Sequence, residues 1–248
     1  MNQMNRSSLN DDRWIRILLR IAGILIVIHL ANLVIGGPSW QFERLFSLGL
    51  EANIPTWFSS LLWFLSAFTA FRCFEFVKTK GQKIQWSLIA SLFLAFSIDE
   101  VSMIHEVIFE DINRFFPSDL RHYIISKFKA SDWPIIAAPF LIFTVIWLIS
   151  SFRNLLKGSK TAQKFLLFGF AAVICGGYGL EITTNFLNHD NLQWVWELEN
   201  VFEESLEIIG AILIFSGLLK HTVWLDRQFM ISGHVRTVHR RPSLVSRV

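Results

Sequence analysis

The sequence predicts an all-α polytopic membrane protein: a six-helix transmembrane bundle with a short interfacial helix in its third loop. Three observations carry this. Of the 248 residues 52% are hydrophobic, with 24 Phe, 10 Trp and a mean hydropathy of +0.43, which lies outside the soluble globular class. Six segments stay apolar for about 20 residues, the length a helix needs to cross roughly 30 Å of hydrocarbon. Lysine and arginine gather in alternate loops, the pattern of a chain that crosses a membrane repeatedly.

The spans fall near 14–35, 56–77, 85–107, 134–152, 162–186 and 196–219. Arg13, Arg16 and Arg20 lead into the first, which ends in GGPSW without a small-x-small cleavage site, so it reads as a retained span and not a leader. Asn53 caps the second span and Pro55 stands in its first turn; Glu51 or Asn53 folded back over the bundle is the alternative. Arg72, Lys78, Lys80 and Lys83 join the second span to the third, and Arg153, Lys157, Lys160 and Lys164 the fourth to the fifth. The intervening loops are acidic or balanced. An even span number and the positive-inside rule then place both termini in the cytoplasm.

In the long third loop, Ser118 can cap a helix over 118–129 whose Leu120, Tyr123, Ile124 and Phe128 form an apolar stripe suited to the membrane surface. Residues 1–220 make the transmembrane domain and 221–248 a basic cytoplasmic tail. Trp40, Trp57, Trp133, Trp194 and Trp196 read as an interfacial belt. Cys73 and Cys175 stand at different depths and are expected to be free thiols. The net charge of +3 is spread over separate loops and implies no nucleic acid.

The chemistry lies in charges that hydrocarbon does not tolerate. FSIDEVSMIHE places Asp99, Glu100, His105 and Glu106 at the outer end of the third span; Glu181 lies on the fifth, and Glu203, Glu204 and Glu207 open the sixth. At about 1.5 Å per residue all fall within roughly 16 Å of the outer ends of their helices, and His29 on the first span shares their layer. As an unbroken helix, Asp99, Ser102, His105 and Glu106 fall within about 120° of one another, while Glu100 turns about 100° away. Glu203, Glu204 and Glu207 share a face of the sixth span, and CGGYG at 175–179 permits close helix contact on the fifth. No lysine or arginine lies in the outer half of any span. Like charges so close cannot all ionise, so the carboxyls are protonated or a metal cation compensates them.

Several carboxylates with one or two imidazoles suit one or two divalent ions of manganese, iron or zinc. Asp99, His105, Glu106, Glu181, Glu203 and Glu207 are the candidate ligands, with Glu100 or Glu204 as acid/base group. His29 is a candidate too, although a lone histidine on an apolar helix more often satisfies a neighbouring backbone. The set resembles bundle-core di-metal carboxylate sites in chemistry only, because their Glu-x-x-His pairs are absent.

Three landmarks carry a wider resemblance: Glu51, Asn53, Ile54, Pro55, Thr56 and Trp57 (E-x-N-I-P-T-W); Ser97, Asp99, Glu100, His105 and Glu106 (S-x-D-E-x4-H-E); and Glu203, Glu204, Glu207 and Gly210 (E-E-x-x-E-x-x-G). With these the chain resembles a family of bacterial multi-pass membrane proteins over most of 46–219. The resemblance implies a bacterial inner-membrane location and brings no agreed activity. Such proteins often carry an aspartate near the position of Gly49, which this chain lacks.

The expected function is a membrane-embedded metal-dependent enzyme acting on a lipid or other amphiphile that enters from the outer leaflet. A cation or proton transporter, and a scaffold holding a structural metal, are the alternatives. Membrane lipid is the expected partner.

Overall fold

A computed structural model describes residues 2–105, 107, 108, 111, 133–184 and 193–238. The described chain is helical, without strands, and six of its helices are long and apolar enough to cross a membrane. The protein is a multi-pass membrane protein. The predicted helix over 118–129 and the residues beyond 238 lie outside the described residues.

Helix α1 spans Asn2–Ile35 and stops at Gly36, whose φ of 79° suits a residue without Cβ; its N–H closes on Asn32 O at 3.0 Å. A seven-residue helix α2, Trp40–Phe46, follows, with Ser39 Oγ accepting from the Phe42 N–H. It is too short for apolar periodicity to reveal. Helix α3 covers Ile54–Phe76, with Asn53 as cap and proline in the first turn, as the sequence predicts. Helix α4 covers Lys80–Ser102 behind the Thr79 cap, and α5 covers Trp133–Leu155.

Helix α6, Lys160–Ile174, runs into one turn of π-helix at Cys175–Leu180 and then α7, Glu181–Thr184. Helix α8 spans Gln193–Val238, 46 residues and roughly 70 Å at 1.5 Å per residue. Hydropathy alone ends this span at 219, yet the helix continues and buries His221 and Thr222. His221 stacks between Trp86 and Trp224, at centroid distances of 5.7 and 5.6 Å.

α8 is the axis of the bundle. It packs against α1, α3, α6 and the π-turn, while α3 pairs with α4 and α5 leans chiefly on α4. Aromatic rings fill the centre: Trp63 meets Phe93 and Phe96 at 5.7 and 5.1 Å, and Phe93 reaches Phe170 at 6.2 Å. Outward faces are equally apolar. Phe140, Phe143 and Ile146 are 63%, 69% and 63% exposed, an arrangement water would penalise and lipid solvates. Both cysteines are free thiols, as expected.

The α6–α8 contact depends on glycine. A Cβ on Gly210 would stand 2.8 Å from Gly169 O and 2.6 Å from Val173 Cγ2, and one on Gly169 would stand 2.9 Å from Gly210 O. Without a hydrophobic force between helices in lipid, such close backbone approach supplies the packing energy. Gly210→Ala should therefore cost about 1–3 kcal/mol by overpacking. Gly81→Ala, where a Cβ meets nothing within 4 Å, should leave thermal unfolding in detergent unchanged or slightly raised. Equal melting temperatures for the two variants would remove this reason for the glycines.

The ends of the bundle differ in charge. Arg72, Lys78, Lys80, Lys83, Arg153, Lys157, Lys160 and Lys164 crowd one end, where Lys220 Nζ also meets Asp12 Oδ1 at 2.7 Å. The opposite end carries the carboxylates. Trp40, Trp57 and Trp194 stand there at 64%, 62% and 61% exposure, consistent with an interfacial belt.

Candidate functional site

At the acidic end the chain from Ser47 to Asn53 folds tightly over the bundle. Asn53 organises it: its Nδ2 donates to the carbonyls of Ser47 and Leu50, both at 2.6 Å, and to Arg44 O at 3.3 Å. Its Oδ1 accepts from the Thr56 N–H at 3.1 Å and from Thr56 Oγ1 at 3.0 Å. Both ends of the Asn53 amide are thus spent on the loop and the helix cap. Ala52, at φ 57°, completes the turn and leaves Glu51 half-buried beneath it.

The α3–α4 pair is pinned one turn below. Ser60 Oγ donates to Ser97 O at 2.7 Å and Ser97 Oγ to Ser60 O at 2.9 Å, fixing the register of the two helices. Two and three residues further on come Asp99 and Glu100. Glu100 lies beside Ser59 and within electrostatic range of Glu51, Asp99 and His105. From α8, Glu204 faces the same place, with Glu100, Glu203 and Glu51 as its charged neighbours. Glu51, Glu100 and Glu204 therefore converge from a loop and two helices. Among the described residues no lysine or arginine is one of the charged groups acting on Glu100 or Glu204, and the nearby Arg44 lies over the Trp40 ring at 5.6 Å.

The third span does not run unbroken to Val107. Met103 adopts the left-handed conformation at φ 48°, and its N–H closes on Asp99 O at 2.7 Å, ending α4 at Ser102. Asp99 then takes the chain that follows: Oδ1 accepts the His105 N–H at 2.7 Å, and Oδ2 meets His105 Nδ1 at 2.8 Å. The face computed for a continuous helix is replaced by a carboxylate–imidazole clasp. Both oxygens of Asp99 are engaged by one histidine.

The other predicted residues divide. Glu207 lies on the α6 side of α8, its carboxylate filling the space a Cβ on Gly177 would need; the Glu203 carbonyl stands 2.8 Å from where a Cβ on Gly176 would be. CGGYG thus allows the close contact expected of it, made by a π-turn. Tyr178 Oη donates to Pro134 O at 2.8 Å and ties that turn to the start of α5. Glu181 is described in its backbone alone, and Glu106 lies outside the described residues. His29 is buried at 4% exposure, with Nδ1 accepting the Leu48 N–H at 3.3 Å, the backbone partner that the sequence argument favours for a lone histidine.

Among the described residues, no three of His, Cys, Asp or Glu stand as a group able to hold a metal ion. Of the candidate ligands whose side chains are described, Asp99 pairs with His105 while Glu207 turns to the π-turn. What the fold does gather is an acidic trio, Glu51, Glu100 and Glu204, beside an oriented histidine. Adjacent buried carboxylates share protons or a cation, and an imidazole held by a carboxylate has a fixed ring orientation. The arrangement can transfer protons, attract a cation, or do both.

A family model described as "Domain of unknown function (DUF8692)" matches residues 18–222, a stretch that includes every residue of this site. No curated protein and no solved structure matches the chain.

Proposed function

Since the chain belongs to the DUF8692 family, whose description carries no activity, its use is read from the site: we propose a membrane-embedded, cation-dependent enzyme acting on a lipid or amphiphile. The observation that carries this is the convergence of Glu51, Glu100 and Glu204, from a loop and the ends of two membrane-length helices, beside the oriented His105. Ionisable groups held inside a bilayer are costly and mark function by default.

In this reading the trio, with Glu203 at its edge, would supply the negative charge that draws a divalent ion of manganese, iron or zinc, its carboxylates closing into a ligand set only around the bound ion. Such an ion would supply Lewis acidity there. Asp99 acts through His105: it fixes the imidazole, which serves as ligand or as proton carrier to the substrate. Glu100 and Glu204, as adjacent carboxyls that cannot both ionise, would hold and pass a proton between them. The lysine and arginine distribution supports cytoplasmic termini, and the resemblance implies a bacterial inner membrane, so that substrate would enter from the outer leaflet.

A transporter would need polar access from the opposite end. There, Ser66, Thr69, Ser216 and Thr222 turn their hydroxyls back onto carbonyls of their own helices, at 2.6–3.0 Å. Their polar atoms are spent locally and do not line a path, which supports a site open to one side. Lipid extracts of a strain lacking the chain should differ in at least one species from those of a strain restored with the natural sequence. Glu204→Gln should fail to restore it, and proteoliposomes should show no cation flux. Flux with an unchanged lipid profile would establish the transporter instead, and a silent result in both assays the scaffold.

A further inference from the structure

We propose that the groove between α5 and α6 binds an anionic diacyl phospholipid from the leaflet at the basic end, at a site separate from the acidic trio. The groove is a cavity of about 500 Å³, in the range of pockets that hold extended small molecules. It exists because α5 leans chiefly on α4, leaving its other face to a space floored by Phe152 and Phe170, whose centroids are 5.8 Å apart.

Length and polarity select the occupant. One wall runs from Val145 to Leu156 and the other from Gln163 to Ile174, antiparallel, each rising roughly 16 Å. That is about half of the roughly 30 Å hydrocarbon core, the depth of one acyl chain in one leaflet. Polar side chains enter the lining only at the end near the α5–α6 turn, as Arg153 and Gln163. Gln163 Nε2 donates to Leu156 O at 3.1 Å and so closes that end, while Arg153 is exposed. From 153 to 164 the chain carries Arg153, Lys157, Lys160 and Lys164 and no acidic residue. A guanidinium at headgroup level beside three ammonium groups complements a phosphodiester, and Arg is the residue suited to binding it through two hydrogen bonds.

The test uses the full chain in detergent, stripped of lipid and titrated with phosphatidylglycerol or phosphatidylcholine while thermal unfolding and complex mass are followed. Phosphatidylglycerol should bind more tightly than phosphatidylcholine, and Arg153→Gln should weaken the anionic lipid about five-fold while leaving the zwitterionic one unchanged. Ala171→Trp, which projects into the groove from an exposed position, should remove co-purifying lipid. Equal affinity for the two lipids, or an Arg153→Gln protein that keeps the preference, overturns the proposal. So does an Ala171→Trp protein that changes from dimer to monomer, which would make a second copy the occupant. If Ala171→Trp does not fold, the Arg153→Gln comparison decides alone.

Discussion

Glu204→Gln should abolish activity and at the same time make the cation-free protein more stable. Glutamine keeps the size and hydrogen-bonding reach of glutamate and removes one of the converging charges from beside Glu100 and Glu51. In cation-free detergent the relief should be about 1–3 kcal/mol, the scale of charged groups in poorly compensated buried sites. Loss of an acid/base group, by contrast, should lower the rate of lipid conversion by about 10²–10⁴-fold. A structural carboxyl that only ties helices together predicts the reverse sign for stability. A Glu204→Gln protein that melts lower without cation and still restores the lipid profile would sink the functional reading of this residue.

Asp99→Asn should cost about 10–100-fold in cation affinity or turnover while leaving the helices in place, because Asp99 acts on His105 and not on the substrate. Asparagine can still accept the His105 N–H, but its amide then presents a donor to Nδ1 where the carboxylate presented an acceptor. The imidazole is forced into its other tautomer, and the protons available at Nε2 change with it. The pH dependence of activity should therefore change along with its amplitude, which mere loosening of the chain would not do. Met103→Gly is the matching control. Glycine adopts φ 48° without strain, so the break after α4 survives, stability should rise by up to about 1 kcal/mol, and activity should be retained. An inactive, well-folded Met103→Gly protein would show that the break itself has been misjudged.

Hydropathy and length were sufficient for the six spans, and the cap at Asn53 carries its own chemistry, whereas the Thr79 cap places the start of α4 five residues earlier than the apolar run does. The break at Met103 was not legible. FSIDEVSMIHE holds no glycine or proline, and the helix ends because the Asp99 carboxylate competes for the backbone that follows. The angular estimate for His105, made on an unbroken helix, fails with it. The length of α8 was hidden for the opposite reason: Lys220 and His221 look like the end of a span, yet Lys220 reaches Asp12 and His221 is covered by two indoles.

Of the site, Glu100 and Glu204 were legible because carboxylates in an apolar run demand an explanation. Depth alone could not separate Glu204, turned toward α4, from Glu207, turned toward the glycines of the π-turn. Glu51 lies outside any span, and its place depends on a loop folded by the Asn53 amide. Sequence offered that position as one of two alternatives. The structure takes a part of each, with Asn53 as cap and Glu51 over the carboxylates.

The most direct measurement is the binding stoichiometry of manganese, iron(II) and zinc to the detergent-purified chain, compared with a variant carrying glutamine at 51, 100 and 204 together. The natural chain should take up at least one ion per molecule, and the triple variant, folded and more stable without metal, should take up none. Equal uptake by both proteins, or none by either at saturating metal, would contradict a cation site built from these three carboxylates.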